Sequence, residues 1–109
     1  MNEYGISDKS LSIIIETIKT YKEIEKAVLF GSRAKGNHKK GSDIDIALYG
    51  ETADEKLALI LKSKLNEETL IPYFCDVISV DLLNNFNLME HIERVGKVFY
   101  QKNKTIDNG

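Results

Sequence analysis

The stretch GSRAKGNHKKGSDIDIALYG, residues 31–50, joins a glycine-rich basic loop to a segment that carries two acids. From residue 42 to residue 49 bulky apolar side chains alternate with small or charged ones, which predicts a strand with one buried face. Asp43 and Asp45 then share the other face. Asp is depleted in strands, and two like charges on one face repel each other. That face is therefore either open to water or the place of a positive group.

Length and composition narrow the class of protein. The chain has 109 residues, 42% of them hydrophobic and 29% charged, which predicts a single folded domain spanning residues 1–109. The net charge of −2 excludes a general nucleic-acid binder or a basic membrane-surface protein. Cys75 is the only cysteine, so no internal disulfide forms. With no apolar run of ~20 residues and no secretion signal, we expect a cytoplasmic protein.

Hydrophobic spacing predicts the order of helices and strands. Ser7 and Asp8 offer an N-cap for a first helix, and Asn87 with Glu90 resembles a capping box for the last one. Asp81 is suited to cap a short turn. The predicted helices cover residues 8–22, 53–68 and 88–95, the strands 26–30, 42–49 and 73–80, with a short helix or turn at 32–36, an extended piece at 98–100 and a polar, fraying tail at 101–109.

This order predicts an α/β (α+β) fold: a small mixed sheet with helices on one face and the opposite face open around the aspartates. The helix over 53–68 is expected to bury one apolar stripe. The residues of that stripe are Leu57, Ile60, Leu61 and Leu65.

The paired aspartates suggest a metal site. Side chains at positions i and i+2 of a strand emerge on one face roughly 6.5–7 Å apart, so Asp43 and Asp45 are able to lean over a hard divalent cation such as Mg²⁺. Two such ions stabilise the attacking and leaving oxygens of a phosphoryl or nucleotidyl transfer. The alternative is a half-solvated strand whose polar residues point outward.

The loop before the strand suggests a phosphate site. Gly31 allows backbone N–H groups to approach an anion, and Ser32 adds a hydroxyl donor at the start of a helix. Arg33 and Lys35 begin a basic cluster that continues through Lys39 and Lys40, with no acid before Asp43. This cluster suits a polyphosphate. The alternatives are a turn with a helix cap, followed by a solvated basic loop.

Asp76 lies inside an otherwise apolar strand. A carboxylate there is costly unless a cation or hydrogen bonds compensate it. If its strand lies beside the 42–49 strand, Asp76 completes a three-carboxylate site with Asp43 and Asp45, ligates one metal and accepts the proton of an attacking hydroxyl. The alternative is an acid at a frayed strand end.

Together these residues resemble the DNA polymerase β-like nucleotidyltransferase superfamily. Gly31-Ser32, ten intervening residues and Asp43-Ile44-Asp45 match its signature, which arises by chance in roughly one chain per thousand of this length. The likeness to its minimal nucleotidyltransferase (MNT) group is closer and spans about residues 27–100. Segments 30–36, 76–78 and 92–100 carry it. Lys35 and Lys39 stand where Arg is common, which weakens bidentate phosphate contacts.

The resemblance implies a fold like the polymerase β palm and a Mg²⁺-dependent transfer of a nucleoside monophosphate, AMP from ATP, to a hydroxyl. By position, Gly31 and Ser32, with the basic residues Arg33 and Lys35, would hold the triphosphate. Asp43, Asp45 and Asp76 would be both the metal ligands, for two ions, and the catalytic residues, with Asp76 as base. In the antitoxins of this group the acceptor is a tyrosine of a helical HEPN toxin.

The resemblance also bears on partners. Larger relatives carry a second helical domain, so we expect a HEPN-type toxin, or a second copy of this chain, to complete the site. Two alternatives remain: a non-catalytic antitoxin that neutralises its partner by occlusion, and a small-molecule nucleotidyltransferase of the aminoglycoside type.

Overall fold

The computed structural model describes residues 4–80 and 86–102. Within these residues, four helices and four strands follow one another. They are α1 (Asp8–Lys19), β1 (Lys26–Phe30), α2 (Ser32–Lys35), β2 (Ile44–Tyr49), α3 (Glu55–Glu67), β3 (Cys75–Ser79), α4 (Phe86–Val95) and β4 (Lys97–Gln101). The predicted elements are confirmed, and most of them are shorter at their ends than predicted.

The strands form one mixed sheet in the order β3-β2-β1-β4. β1 pairs antiparallel with β2 and with β4, whereas β2 and β3 run parallel. A parallel pair needs a crossover connection, which α3 supplies between β2 and β3. The predicted small mixed α/β fold is thus confirmed, and β3 lies directly beside β2, the arrangement on which a three-carboxylate site depends.

The two faces of the sheet differ. On the first, called the closed face, the strands contribute Ala27, Leu29, Ile44, Ile46, Leu48, Cys75 and Val77 to a buried core shared with α1 and α3. On the second, called the open face, Val28 and Ala47 pack against Ile92 of α4. The prediction placed all helices on one face. α4 instead lies on the open face because Ile92 has apolar strand residues to pack against there.

Local signals explain how two helices begin. Ser7 Oγ accepts from the backbone N–H of Ser10 (3.1 Å) at the start of α1, as predicted. An Asp54 oxygen accepts from the N–H of Leu57 (2.9 Å) at the start of α3. Each cap satisfies a backbone donor that has no partner within the helix.

Three details of the sequence prediction differ or lie outside the described residues. Asn87 lies within α4, after Phe86, so it is not the N-cap of that helix. Ile60, which was predicted to belong to the buried stripe of α3, is 46% exposed. Ala58 is buried in its place. Asp81 and residues 103–109 of the tail lie outside the described residues. Within the described ranges, no helix is long and apolar enough to cross a membrane.

Candidate functional site

Gly31 follows β1 directly and has a backbone conformation that only glycine readily adopts. Its φ of 77° and ψ of −157° lie in a region that side chains essentially never adopt. Phe30, the residue before it, is paired with Asp45 across the β1–β2 ladder. A Cβ on Gly31 would collide with Oδ2 of Asp45. The absent side chain of Gly31 is therefore what gives the Asp45 carboxylate its place.

The three predicted acids lie at one end of β2 and β3. Asp45 and Asp76 are partners in the parallel register, and both point to the open face because their neighbours in each strand belong to the closed face. Asp43 precedes β2 by one residue. Burial, then the charge of Asp76 and then that of Asp43, raise the pKa of Asp45 to about 6, while Arg33 opposes the rise. The acids are close enough to repel one another.

Asp76 also contacts a cation. Lys62 Nζ of α3 lies 3.3 Å from Asp76 Oδ1. The same oxygen accepts from the backbone N–H of Val77 (3.1 Å). As the side chains are placed, no three acid, histidine or cysteine donors among the described residues converge closely enough to hold a metal ion together. Asp76 is thus beside Asp45 but engaged elsewhere.

The donor chemistry nevertheless fits Mg²⁺. Carboxylate oxygens are the protein ligands that this ion prefers, and Asp43, Asp45 and Asp76 are a purely oxygen-donating set. Burial and then the repulsion from Asp76 and Asp43 raise the pKa of Asp45, and a bound cation would offset both effects by stabilising the charged carboxylate. These three residues would hold the ion.

Arg33 has a different place from the one predicted. Its side chain is only 2% exposed. Nε and Nη2 donate to the carbonyl of Ser42 (3.0 and 2.7 Å), Nη1 donates to the carbonyl of Tyr4 (2.8 Å), and the guanidinium lies 4.6 Å from the Tyr73 ring centroid. Arg33 therefore fixes the backbone just before Asp43, which gives it a positioning role in place of the predicted phosphate contact.

The other predicted phosphate ligands lie around the start of α2. Gly31 occupies the N-cap position of that helix without a side-chain cap, and Ser32 is its first residue. The first N–H groups of any helix lack intrahelical acceptors, so they face outward from this end. Lys35 and Lys39 are exposed. Lys39 N–H donates to Ser42 Oγ (2.9 Å), which closes the basic loop towards Asp43.

Two residues of α3 were missed by sequence reasoning. Lys62 is paired with Asp76. Asn66 binds both backbone groups of Cys75: Asn66 Nδ2 donates to the Cys75 carbonyl (2.7 Å), and the Cys75 N–H donates to Asn66 Oδ1 (2.8 Å). Their spacing of four puts Lys62 and Asn66 on one helix face, a signal that the sequence contains. The sequence does not show that this face of α3 lies against β3.

Comparisons with known proteins identify the family of the chain. The sequence matches the family described as Polymerase beta, Nucleotidyltransferase over residues 13–105. It is 33% identical over 81 residues to the probable protein adenylyltransferase MntA of Haemophilus influenzae, a match that covers 72% of this chain and 68% of the relative.

Solved structures share the fold. A toxin–antitoxin crystal structure with AMP-PNP contains a chain that superposes with a TM-score of 0.67 at 21% identity, covering 99% of this chain and 79% of that one. A structure of a tri-AMPylated HEPN toxin in complex with an MNT antitoxin, from Shewanella oneidensis, contains a chain that superposes with a TM-score of 0.65 at 20% identity. That match covers 92% of this chain and 76% of the other. From the family match, which extends over most of the sequence, and the relative from Haemophilus influenzae, we conclude that this chain belongs to the polymerase beta nucleotidyltransferase family and, within it, to the MNT group.

Proposed function

We propose that this protein is a Mg²⁺-dependent nucleotidyltransferase that transfers AMP from ATP to a tyrosine hydroxyl of a helical HEPN-type partner and so acts as an antitoxin. The observation that carries the proposal is the parallel register of Asp45 with Asp76, beside a glycine whose missing Cβ makes room for Asp45. Support for the acceptor comes from the relatives, one a probable protein adenylyltransferase and another found with an AMPylated toxin.

The chemistry divides among the residues by position. The triphosphate lies against Gly31 and Ser32, where glycine permits close approach and the start of α2 presents N–H groups, with Lys35 as a nearby cation. Asp43 and Asp45 would hold both metal ions, and Asp76 would hold one of them. Mg²⁺, when bound, neutralises charge on the phosphate oxygens.

Asp76 then acts as the general base. Its carboxylate accepts the proton of the attacking tyrosine hydroxyl while that oxygen bonds to the α-phosphorus of ATP and pyrophosphate leaves. Arg33 acts as a positioning residue: through its hydrogen bonds to the Ser42 carbonyl it keeps Asp43 in place. A cytoplasmic location, where ATP and an unmodified partner are both available, remains our prediction.

The test is transfer of label. The protein is incubated with ATP labelled in the α-phosphate, Mg²⁺ and a candidate HEPN-type helical protein, and label on that protein is measured. The variant Asp43→Asn/Asp45→Asn should lose transfer by at least about a thousandfold, since it removes the ligands on which phosphate activation depends. A matched control, Asp8→Asn/Glu16→Gln, removes two exposed carboxylates of α1 and should transfer normally.

The outcomes separate the alternatives. Label transfer by Asp43→Asn/Asp45→Asn at the wild-type rate would refute the proposed site. Loss of transfer with full neutralisation of the partner by the same variant would favour a binding antitoxin that acts by occlusion. A requirement for a small alcohol or aminoglycoside in place of a protein acceptor would identify the small-molecule alternative.

A further inference from the structure

Asp76 belongs to an edge strand of the sheet. In the order β3-β2-β1-β4, one side of β3 pairs with β2, and on the other side no strand from residues 4–80 or 86–102 lies beside it. On that outer side, Asn66 of α3 binds both the N–H and the carbonyl of Cys75. Cys75 and Val77 are two residues apart, so the N–H of Val77 points to the same outer side.

One oxygen of Asp76 is turned towards this outer side. Oδ1 accepts from the N–H of Val77 (3.1 Å) and lies 3.3 Å from Nζ of Lys62. Both contacts draw the carboxylate away from β2, the strand that carries Asp45. Asp43, Asp45 and Asp76 do not converge on one point, and these two contacts hold one oxygen of Asp76 on the side away from Asp45.

Lys62 is suited to this contact. It lies on α3, which packs on the closed face, and its side chain reaches around the edge of β3 to the open face. Nζ is 5.4 Å from the centroid of the Phe74 ring, which supports the side chain on its way. With 36% of the Lys62 side chain and 43% of the Asp76 side chain exposed, the pair is weak enough to exchange.

We propose that Lys62 is the resident counter-cation of the metal-free site and competes with the divalent ion for Asp76. Binding of the ion then requires Asp76 to leave the Lys62 ammonium, and Lys62 sets the metal affinity of the site as a positioning residue. The inference rests on the proposed function, because it takes Asp76 as a metal ligand. It deepens that function by naming a residue that controls when the site is assembled.

The test measures metal affinity without catalysis. Mn²⁺ binding to the full-length protein, without ATP or partner, is followed by electron paramagnetic resonance, and Mg²⁺ binding by competition with it. Lys62→Met keeps the apolar stem but removes the charge, and it should tighten binding about two- to fivefold, the range expected when one half-exposed ion pair no longer competes. A merely structural role predicts the opposite sign, weaker binding.

Two controls isolate the contact. Lys64→Met removes the same charge from the same helix, but Lys64 Nζ lies 5.9 Å from the Tyr21 ring centroid, so this variant reports only the general effect of charge and should change the affinity less. In an Asp76→Asn background, Lys62→Met should no longer tighten binding. A tightening that persists there, or that Lys64→Met reproduces, would overturn the inference.

A thermal measurement gives a second readout. In EDTA, Lys62→Met should melt below wild type because the acids lose their counter-cation. Added Mg²⁺ should raise the melting temperature of the variant more than that of wild type, since a tighter-binding ligand stabilises more. Equal shifts, or no metal binding by either protein, would also overturn it. Label transfer is measured separately, so failure of the proposed function shows as lost transfer with the affinity change intact.

Discussion

The closed and open faces of the sheet differ in how much apolar surface they bury and in the charges they carry. On the closed face, strand residues such as Ile46 and Leu48 are fully buried under α1 and α3, and the apolar core is continuous. On the open face, Ile92 of α4 covers only part of the strands, and the uncovered part holds Asp45 and Asp76. The difference shows that this small domain takes its stability mainly from one face and keeps its repelling charges on the other, where a cation has access.

The largest expected effect tests the closed face. Leu61 is 0% exposed and its neighbour Ile60 is 46% exposed on the same helix. Leu61→Ala should lower the free energy of unfolding by about 2–5 kcal/mol, because it removes buried methyl groups and leaves a cavity. Ile60→Ala should change it by about 0.5 kcal/mol or less. Urea unfolding measures both free energies, and equal losses would contradict the assignment of Leu61, but not Ile60, to the core under the closed face.

The next effect tests the point where the loop meets the open face. Gly31 (φ 77°) and Gly36 (φ 82°) both have positive φ, but a Cβ on Gly36 meets nothing within 4 Å, whereas one on Gly31 meets the Asp45 carboxylate. Gly36 has the left-handed helical conformation (ψ 6°), which a side chain tolerates, so Gly36→Ala should cost about 1 kcal/mol of stability. Gly31→Ala should cost about 2–3 kcal/mol, because its ψ of −157° is closed to side chains and its Cβ would meet Asp45. Gly31→Ala should also lose label transfer, because Asp45 is displaced. If the two variants unfold and transfer alike, the contact between Gly31 and Asp45 is not what requires glycine.

The smallest effect tests the charges of the open face through pH. The pKa of Asp45 is raised to about 6 from 3.8, so the folded protein binds its proton more tightly than the unfolded chain does. This contribution is complete below about pH 4 and is lost as pH rises through about 6. In EDTA at pH 7 to 8, Asp45→Asn should therefore be more stable than wild type, on the order of 1 kcal/mol after solvent screening.

Thermal melting of wild type and Asp45→Asn from pH 4 to pH 8 measures this difference. The two curves should converge towards acid and separate towards neutral pH. Parallel curves would contradict the placement of Asp45 among repelling acids. We expect Leu61→Ala to destabilise the protein and Asp45→Asn to stabilise it while abolishing transfer. That pair of results would show that the closed face provides stability and the open face provides function.

Sequence reasoning succeeded where a local pattern carries the information. The alternation around Ile44 and Ile46 predicted the strand and the face to which Asp45 points, and Ser7 predicted the start of α1. It failed where a long side chain can be used in several ways. Arg33 looked like a phosphate ligand because it follows Gly31-Ser32, but its side chain is buried and donates three hydrogen bonds to the carbonyls of Tyr4 and Ser42. Ile60 was predicted to be buried because it lies three residues after Leu57, but it falls at the border of the apolar stripe, where helical spacing alone does not distinguish buried from exposed positions.

What the sequence by itself determined is the set of elements and the chemistry they carry: a glycine-serine turn, a basic loop and acids on one side of a strand. Backbone geometry sets these properties within a few residues, so the chain needs no distant contact to specify them. The tertiary structure alone decided that Asp76 lies beside Asp45, that Lys62 reaches it around the sheet edge, and that α4 shares their face. Those are contacts between segments far apart in the chain, and only the packing of helices on the sheet fixes which of them meet.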